Sequence, residues 1–125
     1  MVKRAKILVV DDEPTNIEII EEIIGGLYTL KAVFSGEEAL QEIYKFNPDI
    51  VLLDVMLPGI DGYEVCKTIK NDEAIKGTKI LLVSAKAMVE EIKAGFEVGA
   101  DGYITKPFEA ENLKAQLQKH LQSGD

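Results

Sequence analysis

Four stretches of this 125-residue chain end in side chains able to handle a charged group. In KILVVDDEP, Lys6 to Pro14, an aliphatic run stops at three consecutive carboxylates, Asp11, Asp12 and Glu13. Like charges this close repel, so one of them gives up its ionisation unless a cation sits among them. A second apolar run, DIVLLD, ends on Asp54; a third, KILLVS, ends on Ser84; a fourth, DGYITK, ends on Lys106, with Pro107 next. A carboxylate can act as a nucleophile, a hydroxyl can hydrogen-bond an anion, and an ammonium can pair with one. Each has a plainer alternative as well. A lone aspartate before VMLPG can cap a turn, and most lysines are simply solvated.

The elements that must position these residues follow from hydrophobic periodicity. The segments AKILVV (5–10), YTLKAVF (28–34), DIVLLD (49–54), KILLVS (79–84) and DGYITK (101–106) read as strands. YTLKAVF alternates more than the others and is placed at an edge, whereas the rest suit a sheet covered on both faces. Between them lie helical stretches. PTNIEIIEEIIGG opens on Pro14 and stops at Gly25-Gly26, with Ile17, Ile20, Ile23 and Ile24 on one stripe and Glu18, Glu21 and Glu22 towards water. SGEEALQEIYKF pairs Ser35 with Glu38 at capping-box spacing and ends before Asn47-Pro48. DGYEVCKTIKND, MVEEIKAGFEVG and EAENLKAQLQKHL complete the set, and QSGD reads as a frayed tail.

This (βα)5 order predicts an α/β fold with one parallel sheet, right-handed crossovers and helices on both faces. In such sheets ligands bind outside the carboxyl ends of the strands. Asp11, Asp12, Asp54, Ser84 and Lys106 all fall at that rim.

Composition narrows the classes. With 14 basic and 22 acidic residues the net charge is −8, which argues against direct nucleic-acid binding, a contact that relies on Lys and Arg. No apolar run approaches a membrane span, and MVKRAKILVV is too short for a signal peptide. The single Cys66 precludes an internal disulfide and fits a reducing, cytoplasmic setting.

Four motifs in order, VVDDEP, DIVLLDVMLPGIDGYE, ILLVSA and GADGYITKPF, resemble those of response-regulator receiver domains, the chemotaxis-type phosphoacceptor modules of two-component signalling. The resemblance covers about residues 5–121. It implies a flavodoxin-like, doubly wound five-stranded sheet of order 2-1-3-4-5 and a single domain over 1–125, with no output domain after residue 121. It also implies Mg2+-dependent (or Mn2+-dependent) transfer of a phosphoryl group from a histidine kinase or phosphotransfer protein to Asp54.

The remaining roles are likewise what the resemblance implies. Asp12, Asp54 and the backbone carbonyl of Met56 hold the metal, with Asp11 acting through a metal-bound water; three carboxylates suit such a hard cation. Glu13 is left out, as an acid favoured near the start of a helix. Lys106 pairs with Asp54 at rest and with a phosphoryl oxygen afterwards, and the Lys106–Pro107 bond is cis. Ser84 hydrogen-bonds the phosphoryl group, and the small Ala85 leaves room for the donor. Tyr103 relays the change to a partner-binding face of the fourth helix, fifth strand and fifth helix. Ile92 and Lys93 are candidates for that face, while Phe96 is assigned to the core. His120 reads as a cation in the last helical turn.

Two other readings share parts of this pattern. A haloacid-dehalogenase-type phosphohydrolase also uses an aspartate, Mg2+ and a lysine, but it places a second acid two residues after the nucleophile, where this chain has Met56. A flavodoxin-like cofactor binder needs a phosphate-cradling loop after the first strand, where DDEPTN presents carboxylates. Neither fits, and a turnover enzyme is not expected.

Overall fold

The structure is a computed structural model that describes residues 4–86 and 88–122. The outermost ends of the 1–125 domain, including Ser123 to Asp125 of the tail, lie outside the described residues. Strands and helices alternate: β1 (Lys6–Val10), α1 (Pro14–Ile24), β2 (Thr29–Val33), α2 (Gly36–Phe46), β3 (Ile50–Asp54), α3 (Gly62–Lys70), β4 (Lys79–Ser84), α4 (Val89–Glu97), β5 (Gly102–Thr105) and α5 (Ala110–Gln122). The strands form one parallel sheet of order β2-β1-β3-β4-β5.

Side chains alternate across a strand, so each central strand feeds two cores. On one face Leu8, Val10, Val51, Leu53, Ile80 and Leu82 pack with Ala39 and Ile43 of α2 and with Val65, Cys66 and Ile69 of α3. On the other, Ile7, Val9, Ile50, Leu52, Leu81 and Val83 meet Ile17, Ile20 and Ile24 of α1 and Leu113 and Leu117 of α5. Burial on both faces is why β3 is apolar without a break: all five of its residues, Asp54 included, are buried. The alternating β2 lies at one edge, as its pattern indicates, and the short β5 at the other.

Helix ends follow their sequence signals. The Ser35 hydroxyl accepts the Glu38 N–H at 3.1 Å, while the Glu38 carboxylate reaches back to the Phe34 N–H at 3.0 Å. Asp61 caps α3 by accepting the Glu64 N–H at 3.0 Å. Asn47, at φ 54°, ends α2 in the left-handed region that Asn tolerates.

Two expectations are corrected. Phe96 is not core but 49% exposed, because α4 meets the sheet through Gly95. A Cβ at Gly95 would stand 2.8 Å from Leu82 Cδ1 and 3.1 Å from Tyr103 Cδ2, and this close approach turns Phe96 outward. His120 does lie in the last turn of α5, but it is buried there rather than set out as a charged end group. It is buried against β5, its Nε2 3.0 Å from where a Cβ at Gly102 would lie. Burial lowers its pKa, with Lys119 pushing the same way, which disfavours the charged ring.

Candidate functional site

The carboxyl rim gathers residues from four strand ends. Asp11 follows β1 and is 3% exposed, with both oxygens engaged: Oδ1 accepts the Glu13 N–H at 2.9 Å and Oδ2 accepts the Lys106 ammonium at 3.2 Å. Asp12 is exposed beside it. Glu13 occupies the cap position just before Pro14 rather than the first turn of α1, and its side chain makes no cap bond.

Asp54 closes β3 and is 5% exposed. Its Oδ1 accepts the Met56 N–H at 3.1 Å and stands 3.7 Å from Lys106 Nζ. Burial pushes the Asp54 carboxyl above the ordinary carboxylate range. The Met56 N–H and the Lys106 ammonium oppose that rise, and the charges of Asp11 and Asp12 add to it. Gly62 makes the tight exit from β3 possible. A Cβ there would lie 2.4 Å from the Asp54 carbonyl oxygen and 2.7 Å from Val55 Cα.

One carboxylate oxygen each from Asp11, Asp12 and Asp54 lie within 4.8 Å of one another. Clustered hard oxygen donors, one of them exposed, fit a divalent cation such as Mg2+. Met56 adjoins this cluster, its side chain half exposed in a depression shared with Asp12, Asp61 and Lys86.

Ser84 ends β4, beside β3, and is fully buried, its Oγ accepting the Lys86 N–H at 3.0 Å. Lys106 leaves β5 through a cis bond to Pro107, and its backbone N–H donates to the Ser84 carbonyl at 2.8 Å. Ala85 is exposed in a shallow, largely apolar groove with Ile19, Pro107 and Phe108. Tyr103 is half-buried, and its hydroxyl donates to the Lys86 carbonyl at 2.9 Å.

Sequence reasoning passed over Tyr63, which belongs to the same neighbourhood. Its hydroxyl donates to the Glu91 carbonyl at 2.9 Å, in the first turn of α4. The only signal was its place in IDGYE, nine residues after Asp54.

Fold and rim define a class, a doubly wound α/β domain with a carboxylate centre braced by one lysine. The chain belongs to the response regulator receiver domain family, whose profile matches residues 7–118. It is 35% identical over 123 residues to the DNA-binding response regulator MtrA of Mycolicibacterium smegmatis, a match covering 98% of this chain and 53% of that protein. The chain spans from about a quarter to about half the length of the curated relatives it matches. Among solved structures, a Chloroflexus aurantiacus chain assigned as a response regulator superposes with a TM-score of 0.91 at 41% identity, covering 96% of this chain and 99% of that one. The BeF3-activated receiver domain of DrrB, from Thermotoga maritima, gives 0.87 at 37% identity, covering 96% and 99%.

The chain is therefore a phosphoacceptor signalling module of two-component systems. Receiver domains generally bind Mg2+ and act between histidine kinases and downstream effectors. Among the described residues no helix is long and apolar enough to cross a membrane.

Proposed function

We propose that Asp54 is the phosphoacceptor of this chain, and that a histidine kinase or phosphotransfer protein is its donor. The observation that carries the reading is the setting of the Asp54 carboxylate, clustered within 4.8 Å of Asp11 and Asp12 and 3.7 Å from Lys106. Asp12, Asp54 and the Met56 carbonyl would hold Mg2+ (or Mn2+), with Asp11 contacting it through water. A bound divalent cation offsets the mutual repulsion of the acids and screens the phosphoryl oxygens from the attacking carboxylate.

The residues of the chain do the rest. An Asp54 oxygen forms the new bond to phosphorus as the phosphorus–nitrogen bond of the donor phosphohistidine breaks, and the imidazole leaves. The exposed apolar groove beside Ala85, Pro107 and Phe108 lets the donor approach. Lys106, already poised between Asp11 and Asp54, takes a phosphoryl oxygen as the charge arrives. The Ser84 hydroxyl turns to a second phosphoryl oxygen and draws away from the Lys86 N–H. Tyr103, half-buried on the core with its hydroxyl on the Lys86 carbonyl, would carry the change from there to α4.

The output is a change in the face made by α4, β5 and α5, where Met88, Val89 and Phe96 already stand exposed. The domain, over residues 1–125, would work in the cytoplasm with its donor, and its net charge of −8 argues against its being a direct nucleic-acid contact. Intact mass spectrometry after incubation with acetyl phosphate tests the assignment. One Mg2+-dependent phosphoryl adduct, absent from Asp54→Asn, is expected. An adduct of equal yield on the variant places the acceptor elsewhere.

A further inference from the structure

Two lysines border the rim, and they are held in opposite ways. Lys106 is committed to the buried carboxylates, 3.2 Å from Asp11 and 3.7 Å from Asp54. Lys86 lines the depression shared by Asp12, Met56 and Asp61, yet its ammonium faces Glu91 at 3.9 Å, in the first turn of α4. Asp12 is the exposed member of the carboxylate cluster, the oxygen donor most open to any cation that approaches.

The Glu91 carboxylate is fixed in place. Its Oε1 accepts the Met88 N–H at 3.1 Å, the reach-back bond of a capping box, and this leaves Oε2 turned to Lys86. The Glu91 backbone carbonyl accepts the Tyr63 hydroxyl at 2.9 Å. Lys86 is held from its own side as well: its N–H donates to Ser84 Oγ at 3.0 Å, and its carbonyl accepts the Tyr103 hydroxyl at 2.9 Å. Exposed ion pairs are weak in part because two long side chains must be ordered. Here the helix cap has already ordered the anion, so only the Lys86 stem has freedom to lose. Released from Glu91, the ammonium would find Asp12 and Asp61 lining the same depression. On Asp12 it would cover a metal-facing oxygen and repel a divalent cation by like charge.

We propose that Glu91 is a positioning residue for the metal site: its carboxylate parks the Lys86 ammonium at the α4 cap and so keeps Asp12 free for a divalent cation. This rests on the reading of Asp11, Asp12 and Asp54 as the Mg2+ site, and adds that a carboxylate outside the ligand set governs how readily that site fills. Without the Glu91 charge, Mg2+ competes with a lysine for Asp12. Its affinity then falls about threefold at low ionic strength, and by less as salt screens the ammonium.

Calorimetric titration with Mg2+ alone, on wild type, Glu91→Gln, Lys86→Met and the double variant, tests the proposal. Glutamine keeps an oxygen for the Met88 N–H and deletes only the charge. Glu91→Gln should weaken Mg2+ binding about threefold in low salt, whereas Lys86→Met and the double variant should bind at least as tightly as wild type. The double variant carries the same change at the cap, so recovery of affinity there rules out damage to α4 as the cause. Wild-type affinity in Glu91→Gln, whatever its urea midpoint, overturns the proposal and leaves Glu91 a helix cap. So does an equal loss in the Lys86→Met background, which would make Glu91 a long-range charge rather than a support for Lys86. Both of those results leave the metal reading standing. If wild type itself takes up no Mg2+, the metal reading falls and the proposal falls with it.

Discussion

Lys106 donates to Asp11 across 95 residues of chain, at 3.2 Å, and stands farther from Asp54, at 3.7 Å. The strand that delivers Lys106 lies at the sheet edge, with β4 and β3 between it and the strand that delivers Asp11. Its side chain therefore crosses the rim above Asp54 to reach a nearly fully buried carboxylate. At rest the ammonium is anchored to Asp11 and only partly committed to Asp54, which leaves it free to turn to an incoming anion.

Lys106→Met should expose the cost of that arrangement. The buried Asp11 loses its cation, so the urea midpoint should fall by an amount equivalent to about 1–3 kcal/mol. Labelling by acetyl phosphate should slow as well. An unchanged midpoint with slowed labelling would restrict Lys106 to the chemistry.

Asp54→Asn should raise the stability of the metal-free protein at neutral pH, by about 1 kcal/mol. Burial holds the folded carboxyl above its ordinary value of 3.8, so the native state binds a proton more tightly than the unfolded state. The penalty is absent below pH 3.8 and grows as pH rises through the folded value. The advantage of the variant should follow the same course in urea melts across pH, and a gain independent of pH would refute the charge argument.

His120 should make the domain acid-sensitive in the opposite sense. Its folded pKa lies below the ordinary 6.5, so on acidification the unfolded state takes up its proton first. Stability contributed by the neutral ring is full above pH 6.5 and is lost as pH falls towards the folded value. His120→Gln should flatten that part of the profile, as read by thermal melts in steps of about half a pH unit.

Gly62→Ala should damage the site without touching a polar side chain. Its methyl group would meet backbone atoms of Asp54 and Val55, which cannot rotate away. A loss of about 1–3 kcal/mol is expected from overpacking, with phosphoryl uptake slowed on the order of ten- to a hundredfold by misplacement of Asp54. Wild-type kinetics in the variant would show that α3 can move without carrying the acceptor.

Much of this was legible in the residues before any coordinates. The unbroken IVLL of β3 announced a strand covered on both faces, and Ser35 with Glu38 announced the start of α2. The rim followed because polar residues at the ends of apolar runs must share one edge of a parallel sheet. Pairings across that rim were not legible. Sequence spacing says nothing about Lys106 reaching past two strands to Asp11. Phe96 was misread because helical spacing identifies an apolar stripe but not its point of contact, which here is the small Gly95. His120 was misread because the space that buries it comes from Gly102, on another element. Tyr63 escaped notice because its role depends on a carbonyl 28 residues away.

Asp11, Asp54, Ser84 and Lys106 stand at the ends of four different strands, and the last strand to be made supplies the lysine. Parallel pairing of this kind joins residues far apart in sequence, so it forms late and all together. Without β5 the chain would carry the three acids Asp11, Asp12 and Asp54 but lack the Lys106 ammonium that stands against two of them, so the rim is complete only in the finished sheet.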